Sequence, residues 1–471
     1  MMRALFVLVL ASLFAVPALP AAAAAKEPPN IVYIVADDLG WKDVGFHGSD
    51  IQSPMLDALA KQGARFNQFY AQPMCTPTRA ALMTGRYPFR YGLQTGVIPS
   101  GGSYGLATDE YLLPQMLKDR GYETALIGKW HLGHGKREYW PRQRGFDHFY
   151  GALVGEIDHF KHASHGVKDW YRDNTPLEEA GYDNTLFGEE AARLINGLSG
   201  EKPLFLYLAF TAPHSPFQAP EKDIARYAGI ADEQRKLYAA MVSAMDDSIG
   251  LVLAALEAKG MRENTVIVFQ SDNGGVRSAL FAGESKVGDK LPADNGPYRE
   301  GKGTLYEGGT RVAALIDWPG HIKPGVIEGM AHVVDMYPTL AAIAGAKLEK
   351  NKPLDGIDLW PSIREGKPTP RKEVVYNVDP TGGAIREGDM KLVWSAGLPG
   401  KVELFNIAKD PGEARNIAAE NPKRVAALKE RLIALSQQMV PPLLIMEAIK
   451  LTFGAPPIAA EPSTMFNEMG P

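Results

Sequence analysis

The run Asn30-Ile-Val-Tyr-Ile-Val-Ala36 is apolar at almost every position and is followed at once by Asp37-Asp38. A strand that shows water one face alternates polar and apolar residues, whereas an unbroken apolar strand has to be covered on both faces. Similar runs occupy residues 123–127, 204–210, 265–270 and 312–317. Helical patterns fall between them. Ser53-Pro54 opens one, with Met55, Leu56, Leu59 and Ala60 on one side, Ser53 as N-cap and Gly63 as stop. Residues 112–120 form a second that ends at Gly121, and a long one spans residues 233–259. Strands alternating with helices predict an α/β fold, a mostly parallel sheet sandwiched by helices. Ligands of such sheets collect beyond the carboxyl ends of the strands.

From about residue 350 the pattern changes. Residues 373–377, 390–394 and 402–406 read as short strands between Gly-rich turns, and Asn421-Pro422 opens a helix with Val425, Leu428, Leu432 and Leu435 on one face. This predicts a smaller C-terminal α+β domain, an antiparallel sheet plus a helix. The Pro-rich stretch from Pro441 onward is assigned no regular structure. At the other end, Met1-Met2-Arg3, an apolar run from Ala4 to Leu19 and the small residues Ala21 to Ala25 have the pattern of a secretory signal peptide. The expected division is a signal peptide over 1–25, a large α/β domain over 27–350, and the small domain with its tail over 351–471. No later segment reads as long and apolar enough to span a bilayer, so no anchor is expected once the signal is removed. The expected location is periplasmic or secreted.

With 50 Lys+Arg against 55 Asp+Glu, the chain lacks the basic excess that nucleic-acid binding needs. Its single cysteine, Cys75, excludes an intrachain disulfide and a cysteine-rich zinc site.

Chemistry-bearing residues gather where strands are expected to end. Asp37-Asp38 follows the first run, and Ser271-Asp272-Asn273-Gly274-Gly275 follows the run at 265–270. Either alone reads equally as a turn or cap; together they offer hard oxygen donors suited to Ca²⁺ or Mg²⁺ and poorly to zinc. Cys75-Thr-Pro-Thr-Arg79 places Cys75 at the mouth of a short helix, with Pro77 expected at its first position. Free N–H groups there and the guanidinium of Arg79 favour a tetrahedral oxyanion. Lys129 and His131 follow the run at 123–127, His214 follows that at 204–210, and Lys302 lies in a glycine-rich loop without Walker A spacing.

Cys75-Thr-Pro-Thr-Arg79 matches the Cys-x-Pro-x-Arg signature of the type I sulfatases, and residues 121–133 resemble that family's second signature. The resemblance runs from Asn30 to about Leu435. It is strongest for the N-acetylgalactosamine-4-sulfatase (arylsulfatase B) subgroup, through Gly45-Phe-His-Gly-Ser49, Gln72 to Pro77, Thr84 to Gly92 and Arg142 to Asp147. It implies an alkaline-phosphatase-like fold and oxidation of Cys75, by a formylglycine-generating enzyme, to formylglycine. One hydroxyl of the hydrated aldehyde attacks sulfur and the other later releases sulfate. It also implies that Asp37, Asp38, Asp272 and Asn273, with the residue at 75, hold Ca²⁺, Mg²⁺ being the alternative. Arg79, Lys129 and His131 would hold the diol and the sulfuryl oxygens, and His214 with Lys302 would protonate the leaving group. One cysteine and no Asn-x-Ser/Thr site separate this chain from animal lysosomal relatives and point to a periplasmic or secreted enzyme.

The expected substrate is an aryl sulfate or a sulfated carbohydrate. His131, His134, His148, His159, His162 and His165 share one segment with Lys136, Arg137, Arg142, Arg144 and Lys161. That segment reads either as a basic rim for a sulfated glycan or as a solvated loop. Two alternatives stay open: a formylglycine-dependent phosphonate monoester or phosphodiester hydrolase, and a non-catalytic calcium-dependent glycan-binding protein.

Overall fold

β1 (Asn30–Ala36) is buried at every residue, as its unbroken apolar run requires. The structure is a computed structural model that describes residues 28–282, 291–396 and 399–453; the expected signal peptide lies outside the described residues. Along the chain follow β2 (Ala64–Tyr70), β3 (Glu123–Gly128), β4 (His148–Gly151), the hairpins β5–β6 (Ala163–Ser164, Val167–Lys168) and β7–β8 (Tyr171–Arg172, Thr175–Pro176), β9 (Leu204–Ala209), β10 (Thr265–Ser271), β11 (Ala314–Asp317) and β12 (Gly325–His332). Among the described residues they form a ten-stranded sheet in the order β12-β2-β11-β10-β1-β9-β3-β4-β7-β8, with β5–β6 apart. The central pairs β10/β1, β1/β9, β9/β3 and β3/β4 are parallel.

Register sets the site. Ala36 pairs with Ser271, so Asp37 and Asp272 leave the sheet side by side. Ala209 pairs with both Val35 and Gly128, which brings Lys129 into the same row. The run at 312–317 forms a strand only from Ala314, and it is antiparallel to β10. β2 and β12 escape a sequence reading because their polar positions (Arg65, Asn67, Gln68, Glu328) break the apolar run.

The helices are α1 (Pro54–Gln62), α2 (Cys75–Thr84), α3 (Leu113–Asp119), α4 (Asp183–Gly197), α5 (Glu221–Ile224), α6 (Glu233–Ala258), α7 (Glu307–Thr310), α8 (Met336–Ala344) and α9 (Trp360–Glu365). Alternate residues of β1 feed two cores. Ile31, Tyr33 and Val35 pack with Leu82, Leu117 and Leu340 of α2, α3 and α8. Val32, Ile34 and Ala36 pack with Leu59, Phe187 and Met245 of α1, α4 and α6. Two expectations fail here. The Ser53 side chain does not cap α1 but accepts the Gly45 N–H at 2.8 Å; Asp246 of α6 takes the N–H groups of Met55 and Leu56, each at 2.9 Å. α6 is itself long and apolar enough to cross a membrane, its most apolar 18-residue stretch having mean hydropathy 1.6, yet 72% of that stretch is buried within the protein.

β13 (Glu373–Asp379), β14 (Gly382–Glu387), β15 (Met390–Ser395) and β16 (Lys401–Asn406) form an antiparallel sheet in sequence order. α10 (Pro422–Ser436) covers it with Leu428, Leu432 and Leu435. Beyond Pro441 the expected irregular tail is instead α11 (Leu443–Phe453). Prolines are compatible with a helix start, and Leu443 and Leu444 lie so close over Gly92 and Gly96 that a Cβ on either glycine would come within 2.9 Å of them.

Candidate active site

At the carboxyl edge of the sheet the chain turns sharply: Asp38 adopts the left-handed region at φ 63°. Its N–H donates to Asp272 Oδ1 at 3.2 Å, and Asn273 Nδ2 donates to Asp38 Oδ1 at 2.7 Å. Asp37, Asp38, Asp272 and Asn273 are all buried.

Cys75 is the first residue of α2, and Pro77 therefore stands third rather than first. The substitution of one register for the other costs little, because the third N–H of a helix has no intrahelical acceptor. Cys75 Sγ lies 3.3 Å from Asp37 Oδ1 and 3.9 Å from Asp38 Oδ1. One turn on, Arg79 donates twice to Asp272 Oδ2, at 3.0 and 2.9 Å, and once to the Lys129 carbonyl at 3.1 Å. Lys129 Nζ pairs with Asp37 Oδ2. Lys302 Nζ lies 2.8 Å from Asp38 Oδ2 and 3.1 Å from His214 Nε2. The structure thus brings the residues of six separate segments together, His131 included: its Nε2 donates to the Ile98 carbonyl at 3.1 Å, and its buried Nδ1 has no partner.

Three carboxylates face Arg79, Lys129 and Lys302, and crowding divides the carboxylates. Burial opposes ionisation of Asp37, but Lys129, Arg79 and Lys302 hold it well below the usual carboxylate range. Burial and the neighbouring Asp37 charge push Asp272 up to about 7. Burial, Asp272 and Asp37 push the Cys75 thiol well up, so the unmodified side chain is a thiol and not a thiolate. His214 Nδ1 lies 2.6 Å from the Ser215 carbonyl and must donate to it, which leaves the Nε2 lone pair facing the Lys302 ammonium. Burial and Lys302 lower its pKa, so the resting imidazole is neutral.

A cation fits this donor set. One ligand atom each of Asp37, Asp38, Cys75 and His214 lies within 4.8 Å of the others. Asn273 Oδ1, buried, has no hydrogen-bond partner. Hard oxygens with an orphaned amide oxygen suit a Ca²⁺- or Mg²⁺-type ion. Asp272 stands outside that group of four, its oxygens accepting the Asp38 N–H and the Arg79 guanidinium.

The site opens into a cleft of about 260 Å³ walled by Met74, Val97, Ile98, Pro99, Ser100, Glu156, His165, Leu280 and Phe281. A larger depression of about 530 Å³ beside β12 gathers no nucleophile or buried carboxylate pair. Glu156 and the apolar lip were not legible as site residues, because nothing in their local sequence marks them; His165 was read only as a member of the histidine-rich segment. The basic rim is not formed. His134 donates to the Ser100 carbonyl at 2.8 Å, His148 meets Glu190 at 2.8 Å, and His162 stacks on Trp170 at 4.1 Å. Arg144 is buried against the carbonyls of Leu106 and Ala107, and Arg137 lies over Trp140. Of the segment's histidines outside the candidate catalytic set, His165 lines the cleft.

The sulfatase family profile matches residues 29–346. Mouse (Mus musculus) arylsulfatase J is 37% identical over 388 residues, covering 80% of this chain and 62% of that protein. Human (Homo sapiens) arylsulfatase A is 33% identical over 479 residues, covering 89% of this chain and 90% of that protein. A crystal structure of Ps i-CgsB in complex with k-i-k-neocarrahexaose superposes with a TM-score of 0.82 at 33% identity, over 92% of this chain and 98% of that chain.

Proposed function

The chain belongs to the sulfatase family, with its alkaline-phosphatase-like α/β fold, and on that footing we propose that it hydrolyses sulfate esters of an aryl alcohol or a carbohydrate. The observation that carries the reading is Cys75 at the N-terminus of α2, 3.3 Å from Asp37 and ringed by Arg79, Lys129 and Lys302 at the floor of an open cleft. Cys75 carried as formylglycine would supply the attacking hydroxyl, and a divalent cation held by Asp37, Asp38, Asp272, Asn273 and that residue would supply Lewis acidity.

Arg79, Lys129 and Lys302 lie buried in a water-poor site, where fixed cationic groups stabilise the sulfuryl oxygens most strongly. Arg79 is locked by Asp272 and by the Lys129 carbonyl, so its plane is set before substrate arrives. His131 presents an unpartnered Nδ1 within the buried floor. As the ester bond breaks, the departing oxygen takes a proton from the His214–Lys302 pair, whose members already share one hydrogen bond at 3.1 Å. The signal-type start supports delivery to the periplasm or the medium, and Cys75 in its Cys-x-Pro-x-Arg context supports a formylglycine-generating enzyme as maturation partner.

The test is twofold. Mass spectrometry of the tryptic peptide from Phe66 to Arg79 is expected to show the aldehyde in active protein, and intact thiol there refutes the mechanism. Side-by-side kcat/KM values are expected to favour an aryl sulfate over an aryl phosphodiester. The reverse order assigns the site to the phosphodiesterase alternative, and ligand binding without turnover to the glycan-binding one.

A further inference from the structure

His159 belongs to the histidine-rich segment, yet it sits behind the cleft, with its side chain 1% exposed. Its Nδ1 lies 2.9 Å from Asp183 Oδ2, and its Nε2 lies 3.0 Å from the carbonyl oxygen of His214. Both neighbours only accept, so both ring nitrogens carry protons and the ring is an imidazolium. Burial by itself would lower its pKa, but the charge and hydrogen bond of Asp183 raise it above the ordinary value.

The Asp183 carboxylate is in turn held by donors. Thr211 Oγ1 donates to Oδ2 at 2.6 Å, and the backbone N–H and side-chain amide of Asn184 donate to Oδ1 at 2.6 Å. Asn184 Oδ1 accepts the Ala212 N–H at 3.0 Å. The turn from β9 to His214 is therefore gripped three times: at the Thr211 hydroxyl, the Ala212 amide and the His214 carbonyl. With both nitrogens engaged, His159 has no group left to offer a substrate.

We propose that His159 and Asp183 are positioning residues, a buried cation–carboxylate strut that holds the His214 carbonyl and so sets the reach of the His214–Lys302 pair toward the leaving oxygen. This rests on the sulfatase reading above. The strut explains why a charged histidine is retained inside the protein, where an unpaired charge is costly.

Proton donation matters in proportion to the basicity of the departing oxygen. A nitrophenolate leaves almost unaided, whereas phenolate needs its proton. Misplacing the donor by about 1 Å can cost on the order of 10²-fold. The loss in a strut variant is therefore graded by leaving group, while a merely less folded enzyme loses rate uniformly.

The experiment measures kcat/KM of the mature enzyme on a series of substituted phenyl sulfates. His159→Ala is expected to lower the value for phenyl sulfate by roughly 30- to 100-fold and that for 4-nitrophenyl sulfate by less than about 3-fold. His159→Gln, which keeps an N–H toward the His214 carbonyl, is expected to recover part of the phenyl sulfate loss; Asp183→Asn serves as second variant should His159→Ala not fold. A uniform loss across the series, or none, overturns the proposal. Hydrogen exchange on the same proteins gives a readout without turnover. Amides of residues 211–215 are expected to exchange faster in the variants while those of 204–209 keep their protection. Should the wild type hydrolyse no phenyl sulfate, the sulfatase reading fails and the exchange result alone decides the strut, unchanged protection of 211–215 overturning it.

Discussion

Lys391 on β15 reaches from the C-terminal sheet into a fully buried cluster at Glu307, the first residue of α7. Its Nζ lies 3.0 Å from Glu307 Oε1 and 2.8 Å from Glu413 Oε1. Glu307 also accepts the hydroxyls of Tyr70 and Tyr376, each at 2.8 Å, and its N–H donates to Glu413 Oε2 at 2.7 Å. Lys391→Met removes the cation and leaves two buried carboxylates face to face. Burial opposes ionisation of Glu307, but Lys391, then Arg311 and Arg386, bring its pKa down to about 2 from 4.5. That shift corresponds to about 3 kcal/mol, in line with the roughly 3–5 kcal/mol lost when one partner of a buried pair is deleted. In the wild type this contribution is present above pH 4.5 and is lost as pH falls from there through the folded value near 2. In the variant a carboxyl has to take up a proton on folding, so the deficit relative to wild type grows as pH rises. Urea unfolding at pH 5.5 and pH 8 measures it: the variant is expected to be about 3 kcal/mol less stable at pH 8 and closer to wild type at pH 5.5. Replacing Glu307 and Glu413 by Gln as well should recover most of the loss. A deficit below about 1 kcal/mol at pH 8, or a triple variant no more stable than the single one, refutes the reasoning.

Other outcomes follow from the same geometry. Cys75→Ala should abolish turnover while the circular dichroism spectrum and unfolding midpoint stay near wild type, since the side chain is small and buried; residual turnover above background would remove Cys75 from the chemistry. Titrating chelator-treated protein with Ca²⁺ should raise the unfolding midpoint, by the equivalent of about 2.7 kcal/mol at a hundred times Kd, and Asn273→Ala should blunt that rise; no rise would exclude the cation site. Asp246→Ala strips α1 of two 2.9 Å bonds at its N-terminus and should cost about 2–4 kcal/mol in chemical denaturation. Asp169 is buried, and burial, only partly offset by the backbone N–H groups of Val154 and Leu153, pushes its pKa up to about 7 from 3.8. Its folded form prefers the proton, so the associated stability is present below pH 3.8 and lost as pH rises toward 7; Asp169→Asn should gain about 2.5 kcal/mol on wild type between pH 5 and pH 8, and a parallel pH profile would contradict this.

Strand β1 and the edge where Asp37 emerges were readable because period and burial are local properties: side chains within a few residues decide whether a strand can face water. The same holds for α6, whose N-cap Asp232 lies directly before it and accepts from Gln234 and Arg235. Parallel pairing then puts Asp272, Lys129 and His214 at one edge once the strands are placed, whereas Cys75, Arg79 and Lys302 come to that edge from a helix and a loop. α11 was hidden because the surface it packs on, at Gly92 and Gly96, lies hundreds of residues earlier. The partner of a polar side chain is equally non-local. Asp246 caps a helix 190 residues before it, His159 grips a carbonyl 55 residues on, and Lys391 finds Glu307 across 84. A histidine or lysine in a loop has the same local signature whether it meets solvent, sulfate or a buried carboxylate. The buried strands and the emergence of Asp37 and Asp272 at their carboxyl ends were written in the sequence through periodicity; strand order, the cap of α1 and the assignment of each buried charge to its partner were left to tertiary packing, because ion pairs and hydrogen bonds are selected by distance in space and carry no period along the chain.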